Sequence, residues 1–356
     1  MTLLRNERNV QDSEKGEFLM KRVGIVGAGG ISRTHADRWS RMPGIELAGF
    51  YDIVEDAARG AVQRSGGKVF SSLNELFDAV DYVDVCTPGT AHVGPVVAAL
   101  EAGLPTVCEK PLANSVADCE QIVDAAERTG TPLFVAMVVR FFPQFAKAKQ
   151  VLDSGAIGAP GMIRTVRSGS YPDAGSGWRK GLAITSYYAD FAQSGGVLLD
   201  LCIHDIDYQR WCFGEIERVF ARGMMFAGKE PKDHALLTVR FASGAVGHIE
   251  GSWSYPRGRF STRIEIAGTR GIIEWDSRAR QPVEVAIARE DGSLASSSSS
   301  PTAPQHDPYY AELAHFVSCA EAEEPFLVTP YDGLMAVKIS RAAIESLETG
   351  KAVTIS

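Results

Sequence analysis

The sequence has no long uninterrupted run of apolar residues. A membrane-spanning helix needs about 18 or more of them in a row, and no window of the 356-residue chain comes close. Basic residues are also fewer than acidic ones, with 36 Lys and Arg against 44 Asp and Glu and a formal net charge of −8. Because nucleic-acid-binding surfaces are normally basic, the composition argues against a nucleic-acid partner as well as against a membrane-spanning helix.

Cysteine is sparse and follows no pattern. The six cysteines form no Cys-x-x-Cys pair and show no zinc spacing. Three of them, Cys86, Cys108 and Cys202, lie in apolar runs, where a thiol packs as a small core side chain. We therefore expect free thiols, no resident metal, and a cytoplasmic protein in a reducing environment.

The first twenty residues are polar and charged and lack an apolar signal core. We expect them to be a disordered extension or the product of an early start codon, because Met20 immediately precedes the first predicted strand. Over the whole chain, 45% apolar and 22% charged residues are typical of a globular protein. Its length is sufficient for two domains.

What the sequence does contain is a glycine-dense stretch directly after an apolar, β-branched run. Residues 21–36, KRVGIVGAGGISRTHA, predict a strand, a tight turn and the start of a helix. Gly27 can adopt the unusual backbone angles of the turn, and Gly29 allows a pyrophosphate to approach the main chain. The phosphates would lie on the free N–H groups at the start of the helix. Ser32 occupies the third fingerprint position, where Gly or Ala is usual, but it is small enough for close packing.

A second predicted strand, Ile45–Tyr51, ends at Asp52. A carboxylate at this distance from the glycine turn binds the adenosine ribose hydroxyls in dinucleotide folds and repels a 2′-phosphate. We therefore expect NAD, with NADP as second choice. The alternative interpretation of Asp52 is a helix cap after a strand.

Strands alternate with helices up to about residue 141, which predicts a parallel sheet covered on both faces. From residue 142 to 330, consecutive strand-like runs predict an α+β domain with a large, mostly antiparallel open sheet, for substrate binding and assembly. The serine-rich residues 293–304 suggest a flexible loop. Residues 331–356 are expected to form a helix and tail that pack back on the body. The predicted division is thus 1–20, 21–141, 142–330 and 331–356.

Two clusters carry candidate chemistry. Glu109-Lys110-Pro111 follows a predicted parallel strand, at the sheet edge where ligands of such folds bind; the alternative is a solvated lysine. Asp200 and His204 are four apart in a predicted helix spanning 195–213, so they would share one face. Histidine suits a general base, but the spacing fits a hydrogen-bonded structural histidine equally well. A metal site lacks a third ligand at helical spacing.

The chain resembles the Gfo/Idh/MocA oxidoreductase family, which includes glucose–fructose oxidoreductase and inositol dehydrogenase. The matching strings are GIVGAGGISRTHA (24–36), TPGTAHVGPVVAALEAG (87–103), CEKPLA (108–113), VVRFFP (138–143), SGGVLLDLCIHDID (194–207) and EIAGTRG (265–271). The resemblance implies that Lys110, Asp200 and His204 are catalytic. It further implies a dinucleotide site formed by Gly27, Gly29, Gly30, Ile31, Asp52, Thr87, Pro88, His92, Glu109 and Lys110, with Arg140 and the pair Trp178-Arg179 beside it.

The implied activity is hydride transfer between NAD and a secondary alcohol of a sugar or cyclic polyol. Myo-inositol, another cyclic polyol, an aldose and a trans-dihydrodiol all stay open as substrates. The rival hypothesis is a non-catalytic sensor of the same fold, and a zinc-dependent alcohol dehydrogenase is disfavoured by the missing ligand set. We expect a homodimer or homotetramer, because an open antiparallel sheet leaves one face to be covered.

Overall fold

The computed structural model describes residues 20–172, 188, 190–225, 233–256, 258–279, 283–289, 294–299 and 307–355. Trp178 and Arg179, and nearly all of the predicted N-terminal extension, lie outside these residues. The described strands form two sheets, one of six strands and one of nine.

The first sheet is entirely parallel, with strand order β3-β2-β1-β4-β5-β6. Its strands are β1 (Lys21–Val26), β2 (Ile45–Tyr51), β3 (Lys68–Val69), β4 (Tyr82–Val85), β5 (Thr106–Glu109) and β6 (Leu133–Ala136). The helices between them are α1 (Gly30–Trp39), α2 (Glu55–Ser65), α3 (Leu73–Phe77), α4 (Val93–Glu101) and α5 (Val116–Thr129). This strand order is that of the dinucleotide-binding fold, which confirms the predicted class.

Local sequence explains why these helices start and stop where they do. The Ser115 side chain accepts a hydrogen bond from the Asp118 N–H at 3.1 Å and so caps α5. Gly130, with a φ of +65°, ends the same helix in the left-handed conformation. Ser72 caps α3 in the same way, accepting from the Glu75 N–H.

The second sheet has the order β14-β13-β12-β11-β7-β10-β9-β8-β15. Its strands are β7 (Pro160–Gly169), β8 (Ile216–Met224), β9 (His234–Phe241), β10 (Val246–Ser252), β11 (Phe260–Gly268), β12 (Gly271–Asp276), β13 (Val283–Ala288), β14 (Leu294–Ser299) and β15 (Val353–Thr354). Only β7 and β10 pair in parallel among these strands; the other pairs are antiparallel. The predicted mostly antiparallel sheet is confirmed. The expected loop over 293–304 is wrong in part, because β14 pairs with β13 along its whole length.

The described part of the chain contains six further helices: α6 (Pro143–Asp153), α7 (Phe191–Ser194), α8 (Gly196–Asp200), α9 (Ile203–Phe213), α10 (Pro308–Ala322) and α11 (Pro330–Thr349). Helix α10 packs into the core of the first sheet through Leu313 and Phe316. Helix α11 joins the two halves, since Val337 belongs to the apolar core of the first sheet and Ile339 to that of the second. Thr329 and Asp332 begin α11 with reciprocal hydrogen bonds of 3.1 and 3.0 Å.

Candidate active site

The glycine turn after β1 has the geometry that a dinucleotide needs. Gly27 has a φ of +97°, and a Cβ there would lie 2.8 Å from the Thr87 main-chain nitrogen, so no larger residue fits. A Cβ on Gly29 would meet nothing within 4 Å, which leaves open space against the main chain. Helix α1 begins at Gly30 without a side-chain cap. Its first N–H groups therefore provide a site for a phosphate.

Ser32 and Asp52 support this turn. Ser32 is fully buried and donates to the Gly29 carbonyl at 2.8 Å, so the unusual third fingerprint residue fits its position. The Asp52 carboxylate accepts from the Ala28 N–H at 2.7 Å and from the Val54 N–H at 2.8 Å. Asp52 thus touches the glycine turn directly, at the end of β2.

A cavity of about 700 Å³ opens at the carboxyl ends of the first sheet, against the second sheet. It is lined by Gly29, Gly30, Ile31, Thr87, Pro88, Glu109 and Lys110 from the first half and by Asp200 and His204 from the second. The cavity therefore brings together most residues of the predicted site. The alternative of a solvated Lys110 does not hold.

Lys110 is paired across this cavity. Its Nζ donates to Asp200 Oδ1 and to the Asp200 main-chain carbonyl, both at 2.9 Å. Both side chains are largely buried, at 19% and 11% exposure. The pair thus holds an ammonium group beside the position where a substrate oxygen could bind.

Asp200 and His204 do not lie in one continuous helix, so the prediction of a single helix over 195–213 is wrong. Helix α8 ends at Asp200 and α9 begins at Ile203. Between them, the Cys202 N–H donates at 2.9 Å to the carbonyl of Val197, five residues back, which makes one wide turn. Both side chains nevertheless face the same cavity.

Burial and two nearby cations keep the His204 side chain in its neutral form. Burial lowers its pKa well below the usual value of 6.5, and the positive charges of Lys110 and Arg167 lower it further. The imidazole is therefore neutral at neutral pH. Its Nδ1 is buried and has no hydrogen-bond partner in the described part of the chain. A neutral imidazole in a cavity can act as a general base.

Among the described residues, four predicted site residues do not line this cavity: Asp52, described above, and His92, Gly27 and Arg140. His92 is fully buried, with Nε2 2.7 Å from the Thr87 carbonyl and Nδ1 2.9 Å from the Pro111 carbonyl. It joins the two loops that carry Thr87 and Lys110 rather than lining the cavity. Gly27 does not line the cavity either; it packs closely against the main chain of Cys86 and Thr87.

Arg140 is only 2% exposed and is not among the cavity-lining residues. Its guanidinium forms a bidentate pair with Asp207 at 2.8 and 2.5 Å. It also lies 3.3 Å from Asp332 and donates to the Leu327 carbonyl at 2.7 Å. Arg140 thus ties α9, which carries His204, to the start of α11.

Sequence reasoning missed several residues of the cavity wall. Arg167 is 4% exposed, pairs with Asp205 at 2.6 Å and still borders the cavity. The signal was present, because Ile163, Thr165 and Arg167 alternate on the inward face of β7. The aromatic wall of the cavity consists of Phe142, Tyr188, Trp253, Phe260 and Tyr309. These residues come from distant segments of the chain, so no local pattern in the sequence predicts that they meet.

The fold and the site together define a nicotinamide-dependent oxidoreductase. The model of the oxidoreductase family with an NAD-binding Rossmann fold matches residues 21–137, and that of the GFO/IDH/MocA C-terminal domain matches residues 145–274. The chain belongs to the GFO/IDH/MocA oxidoreductase family, which confirms the resemblance drawn from its motifs.

Individual relatives span nearly the full chain. It is 30% identical to myo-inositol 2-dehydrogenase of Thermotoga maritima, covering 94% of this chain and 98% of that protein. It is 31% identical to inositol 2-dehydrogenase of Rubrobacter xylanophilus, covering 92% and 91%. The crystal structure of a probable dehydrogenase from Thermotoga maritima superimposes with a TM-score of 0.79 at 30% identity, covering 94% and 98%. In the described part of this chain, no helix is long and apolar enough to cross a membrane.

Proposed function

We propose that this protein oxidises a secondary alcohol of a cyclic polyol or sugar to the ketone, with NAD⁺ as the hydride acceptor. One observation carries the proposal: the Lys110 ammonium, the Asp200 carboxylate and the His204 imidazole converge on the cavity that begins at the glycine turn. The two named relatives are inositol 2-dehydrogenases. An inositol is therefore the first substrate to test.

In this mechanism, the glycine turn would hold NAD⁺, whose nicotinamide ring would supply the hydride acceptor for the substrate carbon. His204 takes the proton of the substrate hydroxyl, because its neutral imidazole faces the cavity. Lys110 donates a hydrogen bond to the same oxygen and stabilises the negative charge that develops on it. Asp200 orients the Lys110 ammonium by accepting a hydrogen bond from it.

NAD is favoured over NADP by the residues at the end of β2. Asp52 presents a carboxylate beside the glycine turn, where it would repel a 2′-phosphate. The next residue, Ile53, is 91% exposed and offers no cation to bind that phosphate. We therefore expect at least tenfold tighter binding of NAD⁺ than of NADP⁺, equivalent to about 1.4 kcal/mol.

The aromatic wall is suited to a ring-shaped polyol. Trp253 packs edge-on against Tyr171 and Tyr188, with ring centroids 5.7 and 6.1 Å apart. Tyr188 and Trp253 border the cavity, so their apolar ring surfaces can contact the C–H face of a sugar or cyclitol while charged groups bind its hydroxyls.

Assembly and location are also part of the proposal. The outer face of the second sheet exposes Phe220, Leu236 and Val246 on three neighbouring strands, which favours a homodimer or homotetramer through this face. All six cysteines are free thiols, as expected in the cytoplasm. Sedimentation of the wild type and of Leu236→Glu would test the assembly, since a charge at this interface should dissociate it.

The first experiment is an absorbance assay at about 340 nm with NAD⁺ or NADP⁺ against inositols, aldoses and trans-dihydrodiols. NADH formation with a cyclic polyol or sugar would establish the reaction. NAD binding without turnover on any substrate would favour the sensor hypothesis, which the relatives named as dehydrogenases do not support. Absence of dinucleotide binding would overturn the proposal.

A further inference from the structure

A line of polar side chains runs from the core of the first sheet to the candidate active site. Trp39 Nε1 donates to Asp84 Oδ2 at 2.7 Å, and His35 Nδ1 lies 2.8 Å from the same oxygen. On the other side of the ring, His35 Nε2 lies 3.2 Å from Glu109 Oε1. Glu109 Oε2 in turn accepts from the Lys110 main-chain N–H at 2.8 Å. The line therefore ends at the residue whose ammonium faces the cavity.

The position of His35 is that of a charged imidazole. Nδ1 makes a hydrogen bond with Asp84 Oδ2, whereas Nε2 lies within ion-pairing distance of Glu109 Oε1 without hydrogen-bond geometry, and both neighbouring carboxylates favour the charged ring. The side chain is completely buried. Burial by itself lowers its pKa, but the negative charge of Asp84, together with its hydrogen bond and the neighbouring Cys86, raises the pKa well above 6.5.

Other titratable groups face His35 from the elements packed around it. Asp84 and Cys86 come from the end of β4 and Glu109 from the end of β5, while Tyr309 and Glu312 come from α10. Burial and the nearby Glu109 and Glu312 raise the pKa of Tyr309 to about 12. Burial raises the pKa of Glu312 well above its usual value, which favours the neutral acid. Two carboxylates, Asp84 and Glu109, thus share one cation.

We propose that His35 is a positioning residue for the candidate catalytic lysine: its imidazolium fixes Glu109, and Glu109 fixes the main chain of Lys110. The inference rests on the proposed function, because that function assigns catalysis to Lys110. The lysine is then held at both ends, by Glu109 at its main chain and by Asp200 at its ammonium. Without the imidazolium at position 35, Asp84 and Glu109 lose the cation that they share. We expect the Glu109 carboxylate to turn away, because a buried charge without a partner is destabilising.

A metal site is the other chemistry that these residues suggest. His35, Asp84 and Cys86 place one donor atom each within 4.8 Å of one another. Asp84 Oδ2, however, already lies within hydrogen-bonding distance of both Trp39 Nε1 and His35 Nδ1. The hydrogen-bonded cluster therefore accounts for the arrangement without an ion.

The test compares His35→Gln with Glu312→Gln. The second variant is the matched control, because it replaces a neutral buried acid next to the same cluster by an amide of the same shape. We expect His35→Gln to lower kcat by about 10–10²-fold, the cost of a small displacement of a catalytic group, with little change in the KM for NAD⁺. Glu312→Gln should keep kcat within about threefold of wild type, far below the ~10²-fold cost of a displaced group.

Two further measurements do not depend on activity. Ring ¹⁵N spectra of histidine-labelled protein, simple because the chain has seven histidines, should show signals of a doubly protonated ring at neutral pH that disappear in His35→Gln. A crystal structure of His35→Gln should show Glu109 turned away from the Lys110 N–H, with Lys110 displaced from Asp200. A neutral ring at position 35 in the wild type, or an unmoved Lys110 in the variant, would overturn the inference. If the wild type oxidises no substrate but Lys110 moves in the variant, the proposed function fails and the positioning role stands.

Discussion

Lys110 and Asp200 are joined by two hydrogen bonds from a single ammonium group, one to the Asp200 carboxylate and one to its main-chain carbonyl, each 2.9 Å long. Lys110 follows β5 of the first sheet, and Asp200 ends α8 on the other side of the cavity. An ammonium group has three N–H donors. Asp200 takes two of them, which leaves one to donate to a substrate oxygen.

Removing this ammonium should reduce catalysis but not cofactor binding. Lys110→Met is expected to lower kcat by about 10²–10⁴-fold, because the developing alkoxide loses its donor. His204→Ala should have an effect of the same size, since the proton then has no acceptor. The measurement is NADH formation under saturating conditions, with the NAD⁺ Kd from fluorescence titration. Lys68→Met, at an exposed lysine remote from the cavity, is the control; near-normal turnover in both site variants would refute the assignment.

The pH dependence of the reaction should report the low pKa of His204. The base is active when deprotonated, so kcat/KM for oxidation should be level through neutral pH and fall only on the acidic side. Arg167→Met removes one of the two cations that lower the pKa of His204, so its acidic limb should shift to higher pH. Arg164→Met is the control, because Arg164 lies on the same strand but is exposed on the opposite face. Identical acidic limbs in wild type and Arg167→Met would contradict this assignment.

Arg140 should contribute to stability rather than to cofactor binding. Removing one member of a buried ion pair leaves an uncompensated charge, so Arg140→Met should cost about 3–5 kcal/mol in the free energy of unfolding. Urea unfolding measures this cost, and the NAD⁺ Kd measured under folded conditions should stay close to wild type. Arg128→Met, which breaks an exposed pair with Glu101, should change stability little. A large rise in the NAD⁺ Kd for Arg140→Met alone would instead support the cofactor contact that the motif resemblance implied.

Glu312 should make the protein less stable as the pH rises. Its pKa is raised in the folded state, so the unfolded chain loses this proton first, above about pH 4.5. The contribution of Glu312 to stability is therefore fully present below that pH and falls by up to about 1.4 kcal/mol per pH unit until the folded-state pKa is reached. Both carboxyl oxygens are buried without a hydrogen-bond partner among the described residues. Glu312→Gln should flatten the decline, which urea unfolding at several pH values would show; an unchanged slope would contradict the neutral state of this acid.

The sequence predicted the first half of the molecule well because its signals are local. A strand, a glycine turn and a helix follow one another within residues 21–39, and parallel strands place their carboxyl ends at one edge. The relevant loops after β1, β4 and β5 therefore meet without any long-range information. The single-helix prediction for 195–213 failed because a wide turn at Cys202 leaves no mark on apolar spacing.

The sequence by itself determined the fold class, the dinucleotide site and the type of chemistry, since these depend on residues close together in the chain or at the ends of adjacent strands. Only the tertiary structure decided which polar residues face the cavity and which hold the scaffold. Arg140 pairs with Asp207 across 67 residues, and Lys110 reaches Asp200 across 90. His35 lies on α1 and Glu109 ends β5, and the two side chains meet only because this helix and this strand pack in the same core. The direction in which a side chain points is fixed by such distant partners, and a linear pattern of residues does not contain them.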